Sequence, residues 1–437
     1  MAAPAVAPPV RIAVVVGKMV GGGVESSVMN HYRHLDKSRV QFDFIVDADS
    51  SKVPLKEIER SGGRVFVIPP CRHVVTHVLA CRRVFASTSP DIVHSHINAL
   101  SVFPLLSARL AGVPIRIAHS HSASDPGEPL RNAVKSMLKT CSRLFPTHLA
   151  ACSHHAASWL FGGRRRSLDD VHIVRNAIDL AEFTFSPRIR NRQRDALNLS
   201  PQQFTVACIG RLCTQKNQTF AFKVFAGLLS QVPEAVLLVA GDGPMLVELR
   251  RLARDLHIDH AVRFLGVRDH ISAIYQACDA LLFPSLYEGL GMAVIEAQAT
   301  GLPVLASTAI PAEACIVPGA VERLPLRSDI TQWSEHLANI ATRQRMVTEF
   351  ERNGHSRELA SAGYDIRQSA ESLCRWYQSL AAEGQSQRSL ESRVPVHIAS
   401  PSANCRQESE RLDDGHTDER SDACPDAFPA IQTVRRS

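Results

Sequence analysis

The 437-residue chain has no apolar run close to the roughly 18 to 20 residues of a membrane-spanning helix, so no transmembrane segment is predicted. Its eleven cysteines include no Cys-x-x-Cys pair. An odd number of scattered cysteines is typical of reduced thiols in a cytoplasmic protein and argues against disulfides or a cysteine zinc site. Residues 1–10 lack the basic start and the apolar stretch of a secretion signal, and we interpret them as a flexible leader.

The chain also carries little excess charge. Its net charge of +6 is modest, and we expect no nucleic-acid partner. Basic residues nevertheless cluster at positions 164–166 and through Arg188, Arg190, Arg192 and Arg194. Such clusters are either solvated surface or a surface attracted to anionic lipid headgroups and lipid-linked diphosphates. The expected location is therefore the cytoplasm, and peripheral contact with the inner face of the membrane stays open.

Length and patterning predict two domains. A hydrophobic share of 45% supports packed cores, and a chain this long suggests two domains of about 180 residues. Apolar strands alternate with helices, which is typical of the α/β class with parallel, doubly wound sheets. We expect a first domain over residues 11–180, a linker over 181–201, a second domain over 202–365 and a helix over 366–382. The polar residues 383–437 are expected to form a disordered tail.

Two glutamates eight residues apart, Glu288 and Glu296, flank a glycine-rich turn in the second half. A buried strand ends before this turn, and an apolar helix begins near Met292. Gly289 and Gly291 let the backbone turn tightly against a ligand, and the helix N-terminus offers N–H groups that suit a diphosphate. The two carboxylates are then placed to hold hydroxyl groups at two points of one ligand. The alternative is that both are solvated residues on the helix surface.

Two cations follow another buried strand, in a loop that leads into a helix near Asn217. They are Arg211, a planar fork of donors, and Lys216, a point charge. This pairing is expected where a departing diphosphate gains negative charge. Between the two motifs, a third strand leads into the turn Gly241-Asp-Gly-Pro244. Because the loops after parallel strands meet at one edge of the sheet, the three turns predict a shared ligand site.

Together these motifs resemble the family 4 glycosyltransferases, which are retaining enzymes with two Rossmann-like domains facing across a cleft, the GT-B fold. The resemblance covers roughly residues 10–380. Within the family, the motif sequences are most similar to those of bacterial exopolysaccharide and capsule enzymes. The segments that carry it are Gly210-Arg211-Leu212, Gln215-Lys216-Asn217, Gly241–Pro244, Phe264–Gly266, Glu288-x7-Glu296-Ala297, Gly21–Glu25, Asp91–His96 and Arg116–Ser122.

The resemblance implies that the second domain binds a nucleotide-diphosphate sugar, with a UDP-sugar favoured, and that neither a cofactor nor a metal is needed. Glu296 would bind the ribose hydroxyls, because a carboxylate accepts two hydrogen bonds from a vicinal diol. Glu288 would hold the donor sugar, and Arg211 and Lys216 would neutralise the departing diphosphate. The backbone that would meet the phosphates lies at Leu290, Gly291 and Met292.

For the first domain, the resemblance implies an acceptor site for a glycan or a polyprenyl-diphosphate-linked saccharide. Gly22 and Gly23 would let the backbone approach the donor phosphate or the acceptor. Because three glycines follow one another from Gly21, the register of the important pair stays open.

Histidines stand at two strand ends of the first domain. The resemblance implies that one histidine contacts the donor sugar, and both His119 and His121 lie on the same face of their strand. We favour His121, because it is nearer the loop at the strand end. His94 and His96 repeat the pattern one strand earlier. They are either structural histidines or site residues, with His96 the better candidate for the site.

Three alternatives compete with a metal-independent transferase of this family. Asp47-Ala-Asp49 follows a strand and would bind a metal in a different type of transferase, but it lies in the first domain, whereas the cations are in the second. The glycines after Gly17 lack the Gly-x-Gly-x-x-Gly spacing, which weakens a hydride-transfer interpretation. A non-catalytic subunit that only binds a nucleotide sugar would not need both Arg211 and Lys216.

Overall fold

The computed structural model describes residues 8–121, 137–162, 167–346, 352 and 354–391. In these ranges the chain forms two parallel sheets, one of seven strands and one of six, each flanked by helices. The expected α/β class with two Rossmann-like domains is confirmed.

In the first sheet the central strands are buried on both faces, as continuous apolar runs require, whereas the two edge strands are partly exposed. Its strands are β1 (Val10–Gly17), β2 (Val40–Asp47), β3 (Arg64–Ile68), β4 (Ile92–Ser95), β5 (Ile115–Ser120), β6 (His148–Ala151) and β7 (Val171–Ile173). They pair in the order β3-β2-β1-β4-β5-β6-β7. The described helices of this domain are α1 (Gly23–His34), α2 (Leu55–Arg60), α3 (Val74–Thr88), α4 (Val102–Leu110) and α5 (His154–Phe161).

Residues 181–201, for which the sequence predicts a linker, contain helical structure instead. The helices are α6 (Leu180–Phe183) and α7 (Pro187–Ala196). Two arginines of α7, Arg190 and Arg194, form ion pairs with Asp279 at 2.6 and 3.4 Å and also donate to carbonyls of residues 276–278. The arginines that made this segment resemble a solvated linker therefore bind it to the second domain. Two cations of the basic cluster are consequently engaged within the protein, and positions 164–166 lie outside the described residues.

The second sheet comprises β8 (Thr205–Ile209), β9 (Val236–Ala240), β10 (Val262–Gly266), β11 (Ala280–Phe283), β12 (Val304–Ser307) and β13 (Val321–Leu324), in the order β10-β9-β8-β11-β12-β13. Its helices are α8 (Gln218–Leu229), α9 (Leu246–Asp255), α10 (Ile271–Ala277), α11 (Met292–Ala299) and α12 (Ile330–Met346). In both sheets the strand order reverses once, between β1 and β4 and between β8 and β11. Ligands of open parallel sheets bind at such reversals.

After a short helix, α13 (Ser356–Ser361), the chain returns to the first domain as α14 (Ile366–Glu391). Five residues of α14 lie in the apolar core of the first domain: Ala370, Leu373, Cys374, Tyr377 and Leu380. The helix continues beyond the expected end at residue 382, so residues 383–391 of the expected tail are helical. This extension packs closely against the first domain, because a Cβ placed on Gly384 would lie 3.1 Å from Ile115 and 3.2 Å from Pro114. Residues 1–7 of the expected leader and 392–437 of the expected tail lie outside the described ranges.

None of the described helices combines the length and the apolar character that crossing a bilayer requires.

The polar composition of residues 392–437 predicts that removing them leaves the fold intact, because they cannot bury enough apolar surface to offset the entropy of ordering. A chain ending at Glu391 is expected to keep the melting temperature of the full chain. A chain ending at residue 382 loses the close packing of Gly384 and is expected to melt about 2–4 °C lower, as for a loss of about 1 kcal/mol. Differential scanning fluorimetry measures both. A large loss of stability in the longer chain would show that residues 392–437 contribute contacts.

Candidate active site

Three loops meet at the edge of the second sheet because their strands β9, β8 and β11 are neighbours. Hydrogen bonds join the loop after β8, the cation loop that carries Arg211 and Lys216, to the loop after β11. The amide of Leu286 donates to the carbonyl of Gln215 at 2.8 Å, and the Gln215 side chain donates to the carbonyl of Tyr287 at 3.0 Å. The Asn217 side chain donates to the carbonyl of Pro284 at 3.1 Å. The two halves of the predicted site are thus held against each other by side chains of the cation loop itself.

Gly241 allows the third loop to lie beside the cation loop. Its φ is +139°, and a Cβ at this position would stand 2.0 Å from the carbonyl oxygen of Gly210. No side chain fits there, so the backbones of the two loops run in direct contact. The three predicted turns, which are separate along the chain, therefore form one continuous surface.

Lys216 and Glu288 are brought together by this packing. The Nζ of Lys216 lies 2.5 Å from Oε1 of Glu288 and 4.7 Å from the centre of the Phe283 ring. The Glu288 side chain is only 8% exposed, so the pair is largely shielded from water. A diphosphate is chemically able to replace Glu288 as the partner of Lys216, and a sugar hydroxyl is able to replace Lys216 as the partner of Glu288. Arg211 is in the same loop, with an exposed side chain and a carbonyl that accepts from Gln218 at 2.9 Å.

Helix α11 begins at the glycine-rich turn, as the sequence predicts. Gly291 caps it with a φ of +92°, a conformation that favours glycine, and Leu290 before it is buried. The free amide groups at the N-terminus of α11 therefore lie next to the loop that carries Glu288. The placement of Leu290, Gly291 and Met292 suits a phosphate contact, which stays a prediction.

Glu296 has a partner that the sequence analysis missed. The hydroxyl of Tyr275, a fully buried residue of α10, donates to Oε2 of Glu296 at 2.7 Å. Burial raises the pKa of Glu296, and burial with the nearby Glu296 raises the pKa of Tyr275 well above its usual value. A buried tyrosine needs a hydrogen-bond partner. No local sequence pattern shows that the partner of Tyr275 lies on α11, the next helix along the chain after strand β11.

Gly22 and Gly23 open helix α1 in the first domain. The carboxylate of Glu25 accepts from the amide of Gly22 and, at 3.2 Å, from the amide of Val20, which forms one half of a capping box. No described atom lies within 4 Å of the position that a Cβ on Gly23 would take. The structure thus leaves space over Gly23, whereas the amide of Gly22 is already satisfied by the protein.

The four candidate histidines form two hydrogen-bonded pairs. Nε2 of His94 lies 3.0 Å from Nδ1 of His119, and Nδ1 of His96 lies 2.8 Å from Nε2 of His121. The pairs stack on each other, with the ring centres of His94 and His96 4.1 Å apart and those of His119 and His121 4.0 Å apart. The hydroxyl of Tyr377 on α14 lies 2.7 Å from Nδ1 of His94. The structure therefore joins all four histidines and does not separate His119 from His121 as the residue that meets a donor.

These histidines are neutral at neutral pH. Burial lowers the pKa of His121 to about 3 and lowers the pKa values of His94, His96 and His119 well below the usual value. Each ring then carries one N–H group and one lone pair. Nε2 of His119 and Nδ1 of His121 are buried and have no hydrogen-bond partner among the described residues.

The Asp-x-Asp pair lies among cations of its own domain. Asp49 forms ion pairs with Lys18 at 3.0 Å and with Arg72 at 3.1 Å. Burial and the charge of Asp49 raise the pKa of Asp47 to about 6. Within the described ranges, neither aspartate belongs to a group of three side chains placed to bind a metal. Asp49 is therefore engaged by two cations of its own domain.

The two domains touch beside the glycine-rich turn. Ser153 Oγ in the first domain donates to the carbonyl of Gly289 in the second at 2.8 Å. The carboxylate of Glu313 accepts from the amides of His154 and His155 at 3.0 and 2.8 Å. The start of α5 therefore faces the loop that carries Glu288, and the two predicted half-sites border one cleft.

Comparison with known sequences identifies related proteins. The family model described as Glycosyltransferase Family 4 matches residues 21–182, and the one described as Glycosyl transferases group 1 matches residues 189–357. The EpsF protein of Bacillus subtilis (strain 168), named as a glycosyltransferase, is 34% identical over 374 residues, which are 84% of this chain and 96% of EpsF. The Escherichia coli enzyme named UDP-Gal:alpha-D-GlcNAc-diphosphoundecaprenol alpha-1,3-galactosyltransferase is 24% identical over 283 residues, which are 61% of this chain and 72% of the enzyme.

Solved structures share the fold. The crystal structure of Anabaena Alr3699/HepE in complex with UDP-glucose superposes with a TM-score of 0.62 at 18% identity, covering 87% of this chain and 99% of that one. WaaG, a glycosyltransferase involved in lipopolysaccharide biosynthesis, gives a TM-score of 0.62 at 14% identity, with 87% and 99% covered. At these identities the likeness concerns the fold.

Proposed function

This chain belongs to the family 4 glycosyltransferases with the GT-B fold, and on that basis we propose that it is a retaining enzyme that uses a nucleotide-diphosphate sugar. The donor is a UDP-sugar, and the acceptor is a glycan or a lipid-linked saccharide in exopolysaccharide or capsule assembly. The names of two relatives support this choice, since one is solved with UDP-glucose and another acts on a diphosphoundecaprenol-linked sugar. We place the enzyme in the cytoplasm, with its acceptor presented at the membrane surface.

The observation that carries the proposal is the buried contact between Lys216 and Glu288 at the start of α11. Donor binding exchanges this contact for two others, because the diphosphate takes the ammonium group and a sugar hydroxyl donates to the carboxylate. Glu296 meets the ribose through Oε1, since Oε2 is already engaged by Tyr275. The charges of Lys216 and Glu288 compensate each other before binding, and each group meets a different part of the donor afterwards.

The chemical step breaks the bond between the anomeric carbon and the diphosphate oxygen and forms a bond from that carbon to the acceptor oxygen. Arg211 and Lys216 stabilise the negative charge that develops on the diphosphate. The acceptor approaches from the face of the leaving group, and a diphosphate oxygen accepts its proton. His119 or His121, each with a ring nitrogen that has no partner among the described residues, positions the donor hydroxyls. We expect no divalent metal to be required, because fixed cations and a helix N-terminus supply the charge.

Proton NMR of the fresh product tests the proposal. An α-linked donor is expected to give an α-linked product, and chelator-treated enzyme is expected to keep most of its activity. A β-linked product would replace the retaining assignment with an inverting one in which His121 acts as the base. Binding of UDP-sugars without any turnover, measured over a set of lipid-linked acceptors, would instead favour the non-catalytic subunit. Loss of activity with chelator and in Asp47→Asn or Asp49→Asn would favour the metal-dependent alternative.

Tyr275→Phe is expected to raise the KM for the donor about fivefold and to leave kcat almost unchanged. The substitution removes the hydroxyl that orients Glu296, and one such hydrogen bond contributes about 1 kcal/mol. Steady-state kinetics with varied donor measures the split. Tyr32→Phe is the matched control, since Tyr32 is equally buried and its hydroxyl donates to Gln41 in the first domain, away from the pocket. An equal rise of KM in both variants would indicate general destabilisation.

A further inference from the structure

Three histidines on adjacent strands of the first domain bring their ring nitrogens together. His94 and His96 are two residues apart on and just after β4, so their side chains share a face, and His119 lies beside them on β5. One ring nitrogen from each of the three lies within 4.8 Å of the others, and all three side chains are buried. From this convergence we infer that His94, His96 and His119 form a binding site for a divalent transition metal of the zinc type.

The spacing of the nitrogens suits such an ion. Nε2 of His94 and Nδ1 of His119 face each other at 3.0 Å. Two nitrogen ligands of a tetrahedral zinc ion, each about 2.0–2.1 Å from the metal, lie about 3.3 Å apart. A small movement of the two rings therefore admits an ion in place of their shared proton, and a rotation of His96 supplies the third nitrogen.

The protons of the rings have places to go. When a metal takes the lone pairs between His94 and His119, His94 keeps a proton on Nδ1, where the hydroxyl of Tyr377 accepts it at 2.7 Å. His119 carries its proton on Nε2, the nitrogen that has no described partner. No proton has to leave the site, and an oxygen atom that orients the outer N–H of a ligand is the usual arrangement around zinc.

A fourth ligand has room as well. A cavity of about 20 Å³ borders all three histidines, together with His121, Ser27 and Tyr377. This volume holds about one water molecule. Three imidazoles and one water are one of the donor sets of catalytic zinc sites, whereas magnesium and calcium prefer oxygen ligands. The structure thus favours zinc, cobalt or nickel over magnesium, and it does so independently of the transfer reaction.

Cobalt(II) is the probe that tests the site. The full-length protein is stripped with a chelator and titrated with Co²⁺. One Co²⁺ per chain is expected, with the intense visible absorption of a four-coordinate ion, and Zn²⁺ is expected to displace it whereas Mg²⁺ is not. His94→Gln and His96→Gln are each expected to weaken binding at least tenfold. His148→Gln, on the neighbouring strand β6 and outside the cluster, is the control and is expected to bind as the wild type does.

Two results would overturn the site. One is a failure of the wild-type chain to take up Co²⁺, and the other is unchanged binding in both cluster variants. If neither variant folds, proton NMR of the wild-type cobalt complex counts the shifted imidazole N–H signals. Three signals support the site, and fewer than three reject it and leave the histidines as a hydrogen-bonded stack around a water molecule.

A second readout rests on the proposed function. Because His119 is one of the two histidines assigned to the donor, zinc at this site is expected to slow transfer, and a chelator is expected to restore the rate. Zinc binding without inhibition would keep the metal site and remove His119 from the donor contacts. The two conclusions are therefore tested separately.

Discussion

Replacing Arg211 or Lys216 by alanine is expected to lower turnover at least tenfold while the fold stays intact. Both side chains belong to the loop after β8, where they stabilise the charge of the departing diphosphate. Losing one such donor commonly costs about 3 kcal/mol in the transition state. Lys216→Ala also leaves the carboxylate of Glu288 without its ion-pair partner, so a rise in the KM for the donor is expected in addition. Arg211, whose side chain is exposed, is expected to affect kcat alone.

Lys223→Ala is the matched control for these variants. Lys223 is an exposed residue of α8, the helix that follows the same loop, and it lies outside the pocket. Its removal is expected to change neither kcat nor KM. Circular dichroism and melting temperature establish that each variant is folded. If both Arg211→Ala and Lys216→Ala turned over at the wild-type rate, the donor site would have to lie elsewhere.

Acid is expected to unfold the protein steeply below about pH 6.5. Burial lowers the pKa of His121 to about 3 and that of His31 to about 4, and it lowers the pKa values of His94, His96 and His119 well below the usual value. In the unfolded chain these rings bind protons from about pH 6.5 downwards. Because the folded state binds fewer protons, the free energy of unfolding falls as the pH falls from about 6.5 towards about 3–4. Above pH 6.5 both states are neutral and stability is flat in this respect.

The size of the effect follows from the number of buried rings. Each contributes up to about 1.4 kcal/mol per pH unit, against a total stability of about 5–15 kcal/mol for a typical protein. Asp47 opposes the trend with a single group, since its pKa of about 6 in the folded state favours the protonated form. Urea titrations between pH 7 and pH 5 measure the slope. His94→Gln is expected to flatten it, His73→Gln at the exposed start of α3 is expected to leave it unchanged, and a wild-type stability independent of pH would contradict the prediction.

The fold and the second-domain loops were predictable because they depend on local patterns. Apolar runs of four to eight residues followed by glycine give the strands and turns, and the start of α11 near Met292 follows from where helical spacing resumes. Parallel order then places the loops after β8, β9 and β11 side by side, without any knowledge of side-chain contacts. The ion pair between Lys216 and Glu288 adds geometry to two residues that the sequence had already marked.

The remaining contacts join positions that only the strand order brings together. Tyr377 reaches His94 across most of the chain, and Tyr275 reaches Glu296 between two helices; neither spacing follows a period of the sequence. The pairing of His96 with His121 depends on β4 and β5 being neighbours and on the register between them. The arginines of α7 are a related case, because a charged segment is predicted to be solvated unless its carboxylate and carbonyl partners are known.

The return of α14 to the first domain constrains how the chain folds during synthesis. The core of that domain includes Leu373, Tyr377 and Leu380, which the ribosome makes only after the whole second domain. One apolar face of the first sheet, which α1 covers only in part, therefore stays partly exposed while the second domain emerges and folds. Chaperone dependence should accordingly concentrate on the N-terminal half of the nascent chain. A polypeptide released after β13 but before residue 366 contains every strand of both sheets. It should nevertheless aggregate.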